Sequence, residues 1–241
     1  MDALKFRKSL LRISNQLSRQ DLDYIKFLSE DDVPRSKMER VRSGTDLFNA
    51  LEERGKLSSK NLGFLVQILT AINRSKLIKD EGFVIPPSTL QVAGARGQIS
   101  QQALQFMFRE CLVKIAMGLQ SSEINNLVFV FQPKLQVSPD TVFTATGLFT
   151  LLMQRQILTT SDLRNLHDGL CQVQRHDLVS LINEFLAKTG QQPYSTVGQG
   201  TCVVQYVCLL CTKPSPWVGD LFTTSYTPSI LIIVPRWGIY L

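Results

Sequence analysis

Histidine is scarce in this chain of 241 residues: only His167 and His176 are present. No apolar run reaches the roughly 18 residues that a membrane-spanning helix needs, and no five consecutive residues carry like charge. The first residues alternate charged and apolar side chains, unlike a secretory signal. These absences disfavour a membrane protein and a secreted protein.

Cysteine is also sparse, and its spacing shows no disulfide framework. Cys111 and Cys171 fall within helical patterns, where we expect small buried hydrophobes, and the other three are Cys202, Cys208 and Cys211. An odd number without framework spacing favours a reduced, intracellular compartment, so we expect a cytoplasmic protein. With no histidine nearby, the last three cysteines make only a weak zinc pattern, and we predict no metal and no cofactor.

The net charge of +6 is unevenly distributed along the sequence. Residues 1–80 contain 16 basic and 11 acidic residues, whereas residues 100–190 contain 7 of each. The basic first part is compatible with an acidic partner or with nucleic acid. A solvated basic face is the simpler interpretation, because no helix shows a dense basic side.

Apolar residues recur at helical spacing through the first eighty residues. Ser18 is a suitable N-cap for the second helix, with Asp21 in its first turn. Short connections and the lack of a strand pattern predict an antiparallel bundle of six helices. The predicted segments are 3–17, 18–29, a short basic piece at 35–42, a helix ending at Gly55, another from Ser58 to about Ile72, and a last one at Leu77 and Ile78.

The second part of the chain repeats the first with an offset of 101–102 residues. Prolines and glycines within residues 81–99 predict a linker, after which the apolar pattern of residues 1–80 returns in residues 100–190. We therefore predict an all-α protein with two six-helix antiparallel bundles in tandem. Corresponding pairs are Phe6 and Phe108, Ile13 and Ile115, Asp21 and Glu123, Phe27 and Phe129, Leu28 and Val130, Leu47 and Leu148, Leu65 and Leu166, and Arg74 and Arg175.

Three charged residues of the second repeat form a candidate cluster. Arg175 and Asp177 are two residues apart near the start of a helix, where both side chains can turn toward the carboxylate of Glu123. A solvated surface pair is the alternative interpretation of these residues. In the first repeat Asp21 and Arg74 can still pair, but Lys76 replaces the second carboxylate.

The last fifty residues differ from both repeats. Residues 191–241 contain only three charged side chains and are rich in threonine, serine, proline and aromatic residues. We predict an irregular or disordered tail, or an alternative terminus. Short β-branched runs within it have no evident partner strand, and exposed runs of this kind are prone to aggregate.

These motifs resemble the death effector domain family, whose members are six-helix bundles of the death-fold type. Arg175-His176-Asp177-Leu178 with Glu123 is similar to the family's charge triad. Lys26-Phe27-Leu28 and Val128-Phe129-Val130 resemble its Phe-Leu patch on the second helix, although a core position is an equally good interpretation of each phenylalanine. Two such domains in tandem resemble the prodomain of caspase-8-type initiator caspases and their protease-less inhibitory relatives.

The resemblance implies a regulator of apoptosis that binds other death effector domain proteins by homotypic contact. The implied partners are a death-receptor adaptor, initiator caspases and inhibitory relatives, with filament formation as a further possibility. One Phe patch is expected to pack between the two domains and the other to bind a partner, so Phe129→Gly should weaken association without unfolding the chain. The implied interaction residues are Asp21, Phe27, Leu28, Arg74, Glu123, Phe129, Val130, Arg175 and Asp177.

Caspase chemistry needs a cysteine in a Gln-Ala-Cys-x-Gly setting and an upstream histidine, and the sequence contains neither segment. We therefore predict a protein that is not an enzyme, with both histidines at surface positions. Two alternatives remain open: a nuclear effector-domain protein that binds nucleic acid, and a truncated isoform of an initiator caspase.

Overall fold

The computed structural model describes residues 2–83, 99–135 and 143–194, and these residues form helices without a named strand. The first bundle contains six helices, as the periodicity predicted. They are α1 (Ala3–Gln16), α2 (Arg19–Leu28), α3 (Arg35–Met38), α4 (Gly44–Glu53), α5 (Gly63–Ala71) and α6 (Ser75–Asp80).

Serine and aspartate side chains set the starts of two helices of this bundle. Ser18 and Asp21 form a reciprocal capping box before α2, and Ser43 and Asp46 form another before α4. Each box satisfies backbone N–H groups that the first helical turn leaves without a partner. The predicted cap at Ser18 is confirmed.

The helix predicted to begin at Ser58 begins instead at Gly63. Ser58 and Asn61 exchange two backbone hydrogen bonds in a turn, and the Asn61 side chain accepts from the Gly63 N–H. Serine and asparagine side chains compete with helical hydrogen bonds in this way, which delays the helix by one turn.

The second bundle repeats this backbone. The described helices are α7 (Gln101–Gly118), α8 (Ser121–Leu135), α9 (Ala145–Gln154), α10 (Arg164–Gln172) and α11 (His176–Lys188). The counterpart of α3 falls in residues 136–142, which lie outside the described residues. Left-handed backbone recurs at equivalent positions, Gly55 with Gln156 and Asn73 with Gln174, so the two repeats share even their turns.

Each bundle closes around leucines and isoleucines at equivalent positions. Ile13 and Leu47 are fully buried in the first bundle, as Ile115 and Leu148 are in the second. The two bundles lie within one compact unit, Met1–Thr196, in which α2 contacts α7 and α9. In the described part of the chain, no helix has both the length and the apolar character needed to cross a membrane.

The structure corrects one prediction about histidine. His176 is exposed, but His167 is buried, with 4% of its surface exposed. Its ring packs edge-on against Tyr194, 5.4 Å between ring centroids, and its Nδ1 lies 3.0 Å from Asp168 Oδ1. The residues after α11 fold back to cover this histidine, a contact that helical periodicity does not predict.

Most of the predicted linker and tail lies outside the described residues. Phe83, near the start of the linker, is buried, and its N–H donates to the Ile78 carbonyl. At the start of the tail, the Tyr194 hydroxyl accepts from the Leu163 N–H. These two contacts anchor the described chain ends to the bundles.

Candidate interaction site

The two Phe patches have different environments. Phe27 is buried, with 4% of its surface exposed, and Leu28 is buried beside it. Phe129, at the equivalent position of α8, is 76% exposed, and Val130 is partly exposed. Phe27 and Leu28 are therefore covered within this chain, as was expected of one of the two patches, whereas Phe129 projects into solvent. The partner-binding role of these residues stays a prediction.

Phe27 is buried because the second bundle covers it. The Arg109 guanidinium of α7 lies over the Phe27 ring, 5.1 Å from its centroid, and Nη1 donates to the Phe27 carbonyl at 3.1 Å. Leu28 and Phe106 line the same inter-bundle cleft, where Phe106 meets Phe64 edge-on at 6.1 Å between ring centroids. An α2 patch of one domain thus packs on the first helix of the next.

A buried ionic contact holds the two bundles together at this point. Arg109 donates to both carboxylate oxygens of Asp31, at 2.6 and 2.8 Å, and to Glu30 at 2.8 Å. Only 6% of the arginine side chain is exposed. Burial acts to lower the pKa of Arg109, but the two carboxylates raise it. The buried guanidinium charge is therefore paired with Glu30 and Asp31.

The predicted charge triad of the second repeat is assembled. Arg175, at the N-cap of α11, donates to Glu123 at 2.6 Å and in a forked arrangement to Asp177, at 2.9 and 2.7 Å. It also donates to the Gly118 carbonyl at 2.7 Å. The cluster therefore ties the end of α7, the start of α8 and the start of α11 together.

The hydrogen bonds of the triad hold its carboxylates in the charged form. The Gln120 N–H and the Arg175 guanidinium lower the pKa of Glu123. The forked bond from Arg175 lowers the pKa of Asp177 to about 2. Both carboxylates in turn raise the pKa of Arg175, so the triad is fully ionised at neutral pH.

The first repeat keeps only the pair that the sequence predicted. Arg74 donates to Asp21 from Nη2 at 2.8 Å and from Nε at 3.1 and 3.2 Å. Burial acts against ionisation of Asp21, but the bonds from Arg74 and Ser18 outweigh it and lower the pKa. In the part of the chain that the structure describes, this pair joins α2 to α6 without a third charge.

Sequence reasoning missed Arg109, Glu30 and Asp31. Residues 78 or 79 positions apart carry no periodic signal that pairs them. The available signal was the repeat itself: Arg109 corresponds to Arg7, whereas Glu30 and Asp31 correspond to Gln132 and Pro133. Both repeats have the arginine, but only the first repeat has the acids that follow the phenylalanine. This difference indicates that the arginine–acid contact forms once, between the two bundles.

Comparison with known proteins relates these features to a family. A family model described as "Death effector domain" matches residues 6–83 and 108–188. Caspase-10 of Homo sapiens is 27% identical over 174 residues, which are 70% of this chain and 30% of that protein. FAS-associated death domain protein of Mus musculus is 39% identical over 67 residues, 28% of this chain and 33% of that protein. The chain thus spans about a third of the length of these relatives.

A solved structure shares the tandem architecture. The crystal structure of a viral FLIP, MC159, superposes with a TM-score of 0.56 at 22% identity, covering 79% of this chain and 99% of that one. At this identity the likeness shows the fold. Since the family model covers both repeats, the chain belongs to the death effector domain family, with two such domains in tandem.

Proposed function

We propose that this chain is a non-catalytic regulator of apoptosis that binds other death effector domain proteins and modulates the recruitment and activation of initiator caspases at death receptors. One observation carries the proposal. Phe27 is covered by the chain's own second bundle, whereas Phe129, its equivalent on α8, is exposed. A large aromatic side chain in this setting has the properties of an interface hot spot.

The test is capture of the FAS-associated death domain protein by the full chain and by a Phe129→Ala variant. Alanine removes the ring while keeping helix propensity, whereas glycine would also weaken α8 by about 1 kcal/mol. Loss of a hot-spot side chain of about 2 kcal/mol should weaken binding about 30-fold. Isothermal titration calorimetry measures this change, and circular dichroism checks that the variant remains helical.

A Gln172→Ala variant is the matched control, because Gln172 is an exposed residue on a different helix, α10. It should bind like the unmodified chain. Equal affinity of the Phe129→Ala variant and this control would contradict the proposal, as would a chain that binds no effector-domain protein.

Whether the chain suppresses or enhances caspase activation needs a separate measurement. A non-catalytic chain with effector domains can occupy the adaptor as a decoy, or extend the assembly as a scaffold. Dose-dependent suppression of caspase activation in a reconstituted assembly supports the decoy, and enhancement supports the scaffold. The proposal that the chain is not an enzyme rests on the absence of the Gln-Ala-Cys-x-Gly segment from its sequence.

We also propose a cytoplasmic location, since Cys111 and Cys171 are free thiols. The alternative, nucleic-acid binding, is less favoured because many basic side chains of the first bundle are already paired with carboxylates. DNA retention that falls steeply with salt would support it. The paired residues are Arg7, Arg12, Arg35, Lys37, Lys56 and Arg74.

A further inference from the structure

The middle of α8 carries no charged residue, although one side of it faces solvent. Residues 124–133 contain neither an acid nor a base, whereas the equivalent residues 22–31 of the first repeat contain four charged side chains. Within this uncharged segment Phe129 is 76% exposed. The cores of protein interfaces are depleted of charge and enriched in aromatic residues, so the segment has the composition of a contact surface.

Four residues of α8 form an exposed stripe along the helix, which we call the α8 stripe. They are Ser122, Asn126, Phe129 and Pro133, all exposed and spaced four, three and four residues apart. This is the spacing of the positions by which one helix packs along another. Leu127, on another side of α8, is fully buried in its own bundle. The α8 stripe therefore offers a second helix a continuous line of contact.

The equivalent stripe of α2 is covered in a way that the α8 stripe does not permit. Its residues are Gln20, Tyr24, Phe27 and Asp31. Arg109 of the second bundle packs over Phe27 and donates to Asp31. The α8 stripe contains no carboxylate with which to pair an arginine, and burying an unpaired charge is unfavourable. An uncharged surface is therefore the better match for it.

A second copy of the α8 stripe supplies such an uncharged surface. The other large apolar side chains exposed in the described residues are Leu4, Leu11 and Ile99, and both leucines stand on α1 among charged neighbours such as Arg12. An identical stripe brings no charge to oppose. The amide of Asn126 can both donate and accept hydrogen bonds, which suits a contact between identical surfaces about a two-fold axis.

We propose that α8 packs antiparallel on α8 of a second copy through the α8 stripe, with the two-fold axis between Asn126 and Phe129, and that this symmetric dimer covers Phe129. One helix from each copy offers less than the ~800 Å² per partner that stable interfaces bury, so the dimer is weak and forms as the concentration rises. Its regulatory consequence rests on the proposed function: the dimer hides Phe129 from other effector-domain proteins.

The first test measures self-association of the full chain by sedimentation equilibrium. The unmodified chain should dimerise as its concentration rises, and Phe129→Ala should weaken the dimer at least about tenfold, because a symmetric contact loses the ring twice. Gln172→Ala, on α10, should leave the dimer unchanged. A chain that stays monomeric up to about 1 mM, at the weak end of the affinity scale, would overturn the inference, as would a dimer that Phe129→Ala does not weaken.

A charge exchange at Asn126 tests the symmetry of the contact. Asn126→Asp and Asn126→Lys should each weaken the dimer, because two like charges then meet beside the axis, within the screening length of about 10 Å. An equimolar mixture of the two variants should associate at least about tenfold more tightly than either alone, since opposite charges meet. Gln172→Asp and Gln172→Lys control for net charge. A mixture no tighter than the stronger variant would indicate a head-to-tail contact and overturn the proposal.

The dimer and the proposed function can fail independently. The dimer is measured without any other protein, whereas capture of the FAS-associated death domain protein is measured far below the concentrations at which the dimer forms. Failure of that capture would overturn the proposed function and leave the dimer intact. If both hold, the apparent affinity for that protein should fall as the chain concentration rises, because the binding-competent fraction decreases. An affinity that stays constant would overturn the regulatory consequence.

Discussion

Two equivalent arginines show how one residue changes an ion cluster. Arg175 binds two carboxylates and the Gly118 carbonyl. Among the described residues Arg74 binds only Asp21, because Lys76 stands where Asp177 would. The second bundle thus fixes three helix ends around one guanidinium, whereas the first fixes two.

Acid should remove the contribution of Asp177 in a defined pH range. Its folded pKa of about 2 lies below the ordinary value of 3.8, so its stabilising effect is complete above about pH 4 and is lost as pH falls toward 2. We therefore expect Asp177→Asn to lower the urea midpoint at pH 7 and to have progressively less effect between pH 4 and pH 2.

An Arg175→Met background supplies the control, since Asp177 then has no guanidinium to pair with. There the effect of Asp177→Asn should shrink to the smaller part that the backbone N–H groups at the start of α11 supply. A stability difference between the single variant and the unmodified chain that stays constant down to pH 2 would show that Asp177 does not act through this ion pair.

At this scale the sequence predicted residue partners better than residue exposure. The triad of Glu123, Arg175 and Asp177 could be predicted because family spacing and helix starts place those groups together. The burial of His167 could not, because its cover comes from Tyr194, beyond the helical pattern. Exposure depends on what the rest of the chain places over a residue.

Among the helices, the crossing of α1 and α4 has a specific steric requirement. A Cβ placed on Gly44 would lie 2.7 Å from Ser14 Oγ and 3.1 Å from the Ser14 α-carbon. The second repeat has Ala145 and Ala116 at the equivalent positions. The glycine and serine of the first repeat therefore form a matched pair that sets the approach of α1 to α4.

We expect Gly44→Ala to destabilise the chain by about 1–2 kcal/mol, because overpacking outweighs the gain in helix propensity. Urea unfolding measures the loss. Adding Ser14→Ala should recover part of it by removing the hydroxyl, while the close approach to the backbone of residue 14 remains. A Gly44→Ala variant at least as stable as the unmodified chain would show that α1 and α4 separate without strain.

Helix positions followed from periodicity and capping residues, with one error. Ser18 was predicted to cap α2, and it does so through a side-chain hydrogen bond, as Ser43 does for α4. Ser58 gave the same signal but caps a turn with Asn61 instead. A serine indicates a local bond to the backbone, and it does not specify whether a helix follows at once.

For the whole molecule, duplication was evident from the sequence but the docking of the bundles was not. The repeat offset predicted two bundles with the same helices. Which patch is covered depends on Arg109 meeting Glu30 and Asp31, and the acids lie outside the shared pattern. Differences between repeats, rather than their similarities, therefore contain the information about assembly.

Arg109 should couple the stabilities of the two bundles. In Arg109→Met the side-chain stem still packs near Phe27, but the charge and its hydrogen bonds to Glu30 and Asp31 are lost. We expect a loss of about 1.5–3 kcal/mol, since hydrogen bonds to charged groups contribute in this range. Urea unfolding followed at α2 and α7 by hydrogen exchange should then separate into two transitions, because the bundles no longer stabilise each other.

Arg155→Met is the matched control, because Arg155 is an exposed arginine at the end of α9. It should unfold like the unmodified chain. If Arg109→Met also keeps a single transition at the same urea midpoint, the bundles must be coupled by their other contacts, among them the Phe64–Phe106 ring pair and the Gln102–Asp32 hydrogen bond. The acidic pair would then have no energetic role in joining the two bundles.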